Sequence, residues 1–325
     1  MVFVSLLFLA VVAGGGIFWW LYQPLTLTHD PVELAIDPGT TPREISEAWV
    51  KAGVETSPVM LYEWFRWSGL ARKIRAGSFE ATSGVTPVKL LMMMVRGDET
   101  QSIVRFGEGW TFKQIRAELA KADDLRPITV NMTDAELMTA IGASGVIPEG
   151  RFYPDTYTYS RGATDTAVLK RAYLAMEGRL SKAWAERAPD TPLKSADEAL
   201  TLASIVEKET GVPSDRGLVA GVFVNRLRIG MPLQTDPTVI YGLGERFDGN
   251  LRKRDLLADT PYNTYMRGGL PPTPIAMPSK AALLAAMNPA STKALYFVSR
   301  GDGTSEFSES LADHNRAVNR FQRGK

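Results

Sequence analysis

The segment 195–211 most constrains how this chain folds. Within it an apolar stripe runs through Ala199, Leu202, Ala203, Ile205 and Val206. At about 100° per residue these five fall within an arc of roughly 160°, a helix face that has to be buried. Ser195 followed by Glu198 predicts a capping box at the start, and Gly211 with Pro213 predicts the stop. Glu209 lands inside the apolar arc, Glu207 sits at its edge and Lys208 points away. A carboxyl held against apolar packing has its charged form disfavoured and keeps its proton toward neutral pH, as a general acid must. The competing geometry is a frayed helix end that turns Glu209 out to water.

Composition narrows the chemistry further. The chain has 325 residues, 45% hydrophobic and 22% charged, which is globular in character and long enough for about two domains. A formal net charge of +1 argues against nucleic acid as a partner engaged through a basic surface. With Cys at 0 there is no disulfide, thiolate nucleophile or zinc–thiolate site. The two histidines, His29 and His314, are too far apart in sequence to suggest a metal centre, and no metal or other cofactor is expected. Gly-x-Ser-x-Gly, His-Glu-x-x-His and phosphate-loop patterns do not occur. Any catalysis therefore falls to carboxylates.

Val2 to Leu21 is an uncharged, mostly apolar run of the length that crosses a bilayer core as a helix. Trp19, Trp20 and Tyr22 close it as an interfacial aromatic belt would. Residues 1–22 are read as a single-pass transmembrane anchor with one large soluble part behind it. A cleavable signal peptide is the alternative, with Ala10–Ala13 as its small-residue site. However, the apolar run continues past that site and no basic region precedes it. With no Lys or Arg before Val2, charge does not orient the anchor.

A local pattern then recurs three times: Gly39-Thr40-Thr41-Pro42-Arg43-Glu44-Ile45, Gly84-Val85-Thr86-Pro87-Val88-Lys89-Leu90 and Gly109-Trp110-Thr111-Phe112-Lys113-Gln114-Ile115. Each offers a glycine turn, a threonine cap and an aliphatic residue one turn into a helix. β-prone runs at Val32–Ile36, Gly77–Ala81 and Ser102–Phe106 precede them, so the unit is strand, turn, helix. The unequal spacing excludes a solenoid. An aromatic helix over Ser57–Gly69 and a Met-rich helix over Leu90–Val95 are expected to face a core. Farther on, Pro148–Tyr157 reads as an aromatic loop, and helices are expected over Thr166–Arg187, Asp215–Ile229 (capped by Ser214) and Ser279–Met287. Gln234–Tyr241 and Tyr262–Tyr265 read as loops, Leu270–Pro274 as extended chain and Leu295–Ser299 as a strand. The fold class is α+β.

Several runs now form a recognisable set: Ala203-Ser204-Ile205-Val206-Glu207-Lys208-Glu209-Thr210, Phe223-Val224-Asn225-Arg226-Leu227 and Leu233-Gln234-Thr235-Asp236-Pro237-Thr238-Val239-Ile240-Tyr241-Gly242. Tyr262-Asn263-Thr264-Tyr265, Gly269-Leu270-Pro271-Pro272, Tyr296-Phe297 and His314-Asn315 continue it in order. From about Glu149 to the C-terminus the chain resembles the YceG-like endolytic murein transglycosylases. The likeness is looser at Thr273-Pro274, where a glycine-containing continuation is common, and Asn288-Pro289 stands where a His-Pro or Asn-Pro pair is usual.

The resemblance implies a lysozyme-like helix carrying one catalytic glutamate, at the second acid of Glu207-Lys208-Glu209. It implies a LysM-like module over 31–98 and a catalytic domain over 99–325. The expected partners are peptidoglycan glycan strands and the lipid bilayer, with peptidoglycan synthases as further candidates. The expected location is the bacterial inner membrane, with the catalytic part in the periplasm. Asn225, Gln234 and Tyr262 are expected to hydrogen-bond the sugar, Asn263 and Tyr265 to line the groove, and Asp236 to orient a neighbour or stabilise developing positive charge. Glu207 is expected to be solvated or ion-paired. Two other readings stay open: a hydrolase pairing Glu209 with Asp236 or Asp215, and a non-catalytic, membrane-tethered peptidoglycan-binding scaffold.

Overall fold

The computed structural model describes residues 2–98 and 101–324. Threonine and serine caps divide the chain into short elements. Thr41, Thr86 and Thr111 each accept the N–H of the residue three positions on, and the first and last complete capping boxes with Glu44 and Gln114. One compact unit comprises the residues up to 103 with 124–126 and 158–163; the other comprises 104–123, 127–157 and 164 onward.

The first unit runs α1 (Val2–Tyr22), β1 (Thr26–Leu27), β2 (Val32–Ile36), α2 (Pro42–Ala52), β3 (Val54–Glu55), α3 (Pro58–Trp67), β4 (Gly77–Ala81) and α4 (Pro87–Arg96). β2 and β4 pair antiparallel from Val32–Ala81 to Ile36–Gly77, and β1 pairs with β3. Ile45, Trp49, Leu61, Phe65, Phe79, Leu90, Leu91 and Met94 form the core. The aromatic helix α3 splits its rings: Phe65 is buried, whereas Trp67, expected to face the core, is 78% exposed. The expected anchor does form a helix. The side chains of residues 2, 3, 5–11 and 13 lie outside the described residues, and among the described residues no helix is long and apolar enough to cross a membrane.

In the second part of the chain, β5 (Gln101–Arg105) and β6 (Thr156–Ser160) form a two-stranded ribbon flanking α5 (Phe112–Leu119) and α6 (Asp134–Ala140) in sequence. There follow α7 (Asp165–Ala185), α8 (Ala196–Glu209), α9 (Pro213–Arg228), α10 (Asp236–Leu243), α11 (Lys253–Leu256), α12 (Lys280–Met287), β7 (Tyr296–Ser299), β8 (Ser305–Ser308) and α13 (Leu311–Val318). α8 packs against α7, α9, α10 and α12. Every residue from Ala199 to Val206 is buried, so its neighbours enclose it well beyond the predicted arc.

Three local expectations need correction. The Ser195 box is half formed: its hydroxyl accepts the Glu198 N–H, but the Glu198 carboxylate takes the N–H of Lys194 (2.6 Å). α9 starts at Pro213 with Val212 as its cap, because proline in the first turn needs no hydrogen-bond partner for its nitrogen. Residues 236–243, expected to be loop, are helical, since Asp236-Pro237 places an acid and a proline in a first turn where both are favoured.

Packing of α9 depends on a small residue. Gly217 and Gly221 face residues 290–292, and a Cβ at Gly221 would lie 2.7 Å from Thr292 Cγ2 and 2.8 Å from the Ala290 carbonyl oxygen. The carbonyl belongs to the backbone, so relief requires moving the segment that Asn225 also holds. Gly221→Ala is therefore expected to destabilise the protein by about 1–3 kcal/mol, as overpacking does, measured by urea unfolding.

Candidate functional site

The last turn of α8 emerges from its apolar enclosure. Glu207 and Glu209 each keep some exposed surface, although the Glu209 carboxyl itself is enclosed by protein, and Lys208 is exposed. The chain leaves the helix at Thr210 in extended conformation (φ −141°, ψ 127°), so the stop rests on Thr210 and Pro213 rather than on a left-handed glycine. The two glutamates diverge. The Glu207 carboxylate, expected to be solvated or ion-paired, instead accepts the Ser279 N–H (2.9 Å) and hydroxyl (2.5 Å) at the start of α12. It thereby satisfies a free donor at a helix N-terminus.

Glu209 meets no backbone donor among the described hydrogen bonds; its Oε2 accepts the Thr235 hydroxyl at 2.5 Å. Burial raises its pKa above the usual carboxylate range. The Thr235 bond opposes that shift, the Asp236 charge reinforces it, and Arg226 lowers it by the smallest amount. Thr235 is itself fixed. Its N–H donates to Thr264 Oγ1 (3.1 Å), and its carbonyl accepts from Thr238 Oγ1 (2.8 Å), which lies 2.9 Å from the same Thr264 hydroxyl.

Of the residues singled out from sequence, three sit in this cluster. Gln234 is exposed, donates its N–H to the Thr264 carbonyl (3.0 Å), and has φ +49°. It is the one non-glycine residue at positive φ among those described, a conformation that costs of order 1–3 kcal/mol. Asp236 is exposed at the start of α10, where Oδ1 accepts the Tyr265 hydroxyl (2.6 Å). Burial first, and the Asp236 bond next, push the Tyr265 phenol pKa up.

The others build walls. Asn225 donates to the carbonyls of Thr292 (2.8 Å) and Ala294 (3.1 Å). Asn263 is fully buried, donates to the carbonyls of Asp255, Leu256 and Ala258, and accepts the Tyr265 N–H (2.9 Å). Its side chain, expected to line the groove, closes a loop. Tyr262 bonds the Thr273 hydroxyl (2.7 Å) and meets the Tyr241 ring edge-on at 4.8 Å. Asp215, a possible second carboxylate, is buried and accepts the Ser305 N–H (2.7 Å). No group of three His, Asp or Glu side chains among the described residues is placed to hold a metal ion.

Sequence reasoning missed Thr235, Arg226 and Glu149. The buried Arg226 donates to the carbonyls of Leu295 and Leu233 (both 2.7 Å) and lies over the Tyr296 ring, which stacks on His314. An arginine within the apolar pattern of α9 was the available signal. Glu149 is 7% exposed, and burial raises its pKa to about 7 against the opposing bonds from Phe112 and Tyr241. A glutamate between Pro148 and Gly150 looked like loop punctuation.

Residues 34–320 match the model of the YceG-like family. The endolytic murein transglycosylase of Bacillus subtilis strain 168 is 36% identical over 173 residues, covering 53% of this chain and 48% of that protein. That of Streptococcus pneumoniae D39 is 28% identical over 358 aligned positions, covering 96% of this chain and 63% of the relative. The chain thus spans about half to two-thirds of the length of these relatives. A crystal structure of a YceG-like protein from Listeria monocytogenes superposes with a TM-score of 0.56 at 27% identity, covering 88% of this chain and 98% of that one.

A buried acid with a raised pKa has a thermodynamic signature. The folded state holds the Glu209 proton more tightly than the unfolded state does. The resulting stabilisation is complete below the ordinary carboxylate pKa and is lost as pH rises through the folded one. Glu209→Gln removes this titration. Its stability relative to the wild type is therefore expected to increase from pH 5 to pH 8 in urea unfolding; a difference that stays flat with pH would contradict the burial of this group.

Proposed function

The chain belongs to the YceG-like family, and from that premise we propose that it is an endolytic murein transglycosylase, a lyase that cuts the glycan strands of peptidoglycan. The observation that carries this reading is the Glu209 carboxyl at the end of an enclosed helix, bonded to Thr235, with its charged form disfavoured by burial. The other candidate acids are already engaged: Glu207 caps α12, Asp215 holds the Ser305 backbone and Asp236 holds Tyr265. Hydrolysis of a glycoside usually needs two carboxyl groups, so these commitments favour a one-carboxyl reaction.

Protonated Glu209 donates to the oxygen linking an N-acetylmuramyl unit to the next N-acetylglucosaminyl unit. The C1–O bond breaks with its electron pair on the leaving oxygen, and the muramyl C1 becomes oxocarbenium-like, supported by the substrate's acetamido oxygen. The Glu209 carboxylate then takes the proton of the muramyl C6 hydroxyl as O6 bonds to C1. The acid is regenerated, the product ends in a 1,6-anhydromuramyl unit, and no water is consumed. Attack within one molecule is favoured by proximity. Gln234, Asp236, Tyr262 and Tyr265 contact the sugar, while Asn225 and Asn263 fix the walls behind them.

In this reading α1 is a single-pass anchor in the bacterial inner membrane. Trp19, 66% exposed, and the exposed Tyr22 lie at its end, where an interfacial belt belongs. Residues 31–98 form a LysM-like module and 99–325 a catalytic domain in the periplasm, acting on strands near the membrane with peptidoglycan synthases as partners.

Glu209→Gln is expected to slow cleavage of purified sacculi by about 10²–10⁴-fold. Mass spectrometry of wild-type products should find ends lighter by one water than reducing ends. Reducing ends would point to a two-carboxylate hydrolase, and no cleavage at all to a binding scaffold. The neighbours of Glu209 should shift the pH–rate profile in opposite directions. Thr235→Val removes a bond that favours the carboxylate, so the alkaline limb should move to higher pH. Asp236→Asn removes a charge that disfavours it, so the limb should move lower.

A further inference from the structure

Glu149 is a second buried carboxyl in the same unit as Glu209, and the reaction above does not use it. It lies between α6 and β6 in a segment with little freedom. Gly150 has φ +79°, and a Cβ there would sit 2.5 Å from Pro274 Cβ. Glu149 Oε1 accepts the N–H of Phe112, the first residue of α5 (3.0 Å), and Oε2 accepts the hydroxyl of Tyr241 on α10 (3.0 Å). The Tyr241 ring packs on Tyr262, whose hydroxyl is held by Thr273.

α10 is therefore tied at both ends. Thr235, which caps its start, donates to Glu209, and Tyr241, near its other end, donates to Glu149. At about 1.5 Å per residue the two ties are separated by roughly 9 Å along the helix, so together they hold both of its turns. We infer that Glu149 is a positioning residue: by accepting from both Phe112 and Tyr241 it locks α10 in place and so keeps the Thr235 hydroxyl on the Glu209 carboxyl. This assignment rests on the proposed lyase reaction for its kinetic consequences.

The lock is strongest when Glu149 is ionised, because a carboxylate accepts both bonds whereas a carboxylic acid gives one oxygen over to a proton. The groups facing it are the Tyr241 hydroxyl, the Phe112 and Gly150 N–H groups, and the Asp134 carboxylate. With burial they bring its titration to about 7. Activity should accordingly need Glu149 ionised and Glu209 protonated, giving an acid limb that belongs to Glu149.

The test uses the full chain with Glu149→Gln and Tyr241→Phe. Both should lower kcat by about 10–100-fold while KM stays within about 2-fold, since misplacement of a reacting group alters the chemical step. The acid limb near pH 7 should vanish in Glu149→Gln and move to higher pH in Tyr241→Phe, which loses a bond that favours the carboxylate. The double variant should be no slower than the worse single one. A readout independent of turnover is the carbon-13 titration of the Glu209 carboxyl, which should move to higher pH in both variants as Thr235 loosens. If Glu149→Gln proves unfolded, Tyr241→Phe alone decides. Wild-type kcat in Tyr241→Phe together with an unmoved Glu209 titration would overturn the assignment. A wild-type protein that yields no anhydro ends would instead sink the lyase reading, leaving the Glu209 titration to judge Glu149.

Discussion

Enclosure of α8 is the constraint on which the second unit depends. Four helices cover it, and residues 199–206 lose contact with solvent. Each fully buried aliphatic side chain contributes about 1.5–3 kcal/mol, so this helix cannot rotate or slide without a large loss. Its final turn inherits that rigidity. The direction of the Glu209 carboxyl is therefore set by apolar packing several residues earlier, and the same packing removes the water that would stabilise its charge.

Around that helix, carboxylates serve as acceptors for backbone groups. Glu207 satisfies the start of α12, Glu149 the start of α5, and Asp215 the first residue of β8. Hydrogen bonds to charged groups contribute about 1.5–3 kcal/mol each, and their loss leaves a buried donor unmatched. Glu209 differs from all three, because its described partner is a hydroxyl that can rotate as the carboxyl changes protonation. Structural acids and the proposed reacting acid are thus distinguished by their partners, although their residue types are the same.

Much of this was legible along the chain. The apolar stripe gave the buried face of α8, and the threonine caps located α2, α4 and α5. Those signals are local, acting within one or two helical turns. What local signals did not show was the set of partners beyond one or two helical turns. Asn225, expected to bond the sugar, holds residues 292 and 294, and Asn263, expected to line the groove, closes a neighbouring loop. Trp67 looked like core because sequence gives a ring's identity and not which side of α3 is covered.

The sequence by itself determined that an amphipathic helix ends in Glu209 and that the chain is α+β, and it pointed to carboxylates for any chemistry. Its motifs also indicated the family, which the match over residues 34–320 established. Tertiary structure decided the rest: that Thr235 meets Glu209 across 26 positions, Ser279 meets Glu207 across 72, and Tyr241 meets Glu149 across 92. Hydrogen bonding to a carboxyl and the loss of its water are properties of the assembled surroundings. Neither is encoded in the residue or its near neighbours, so the fold had to settle which glutamate has its charge disfavoured by burial and which is spent as a cap.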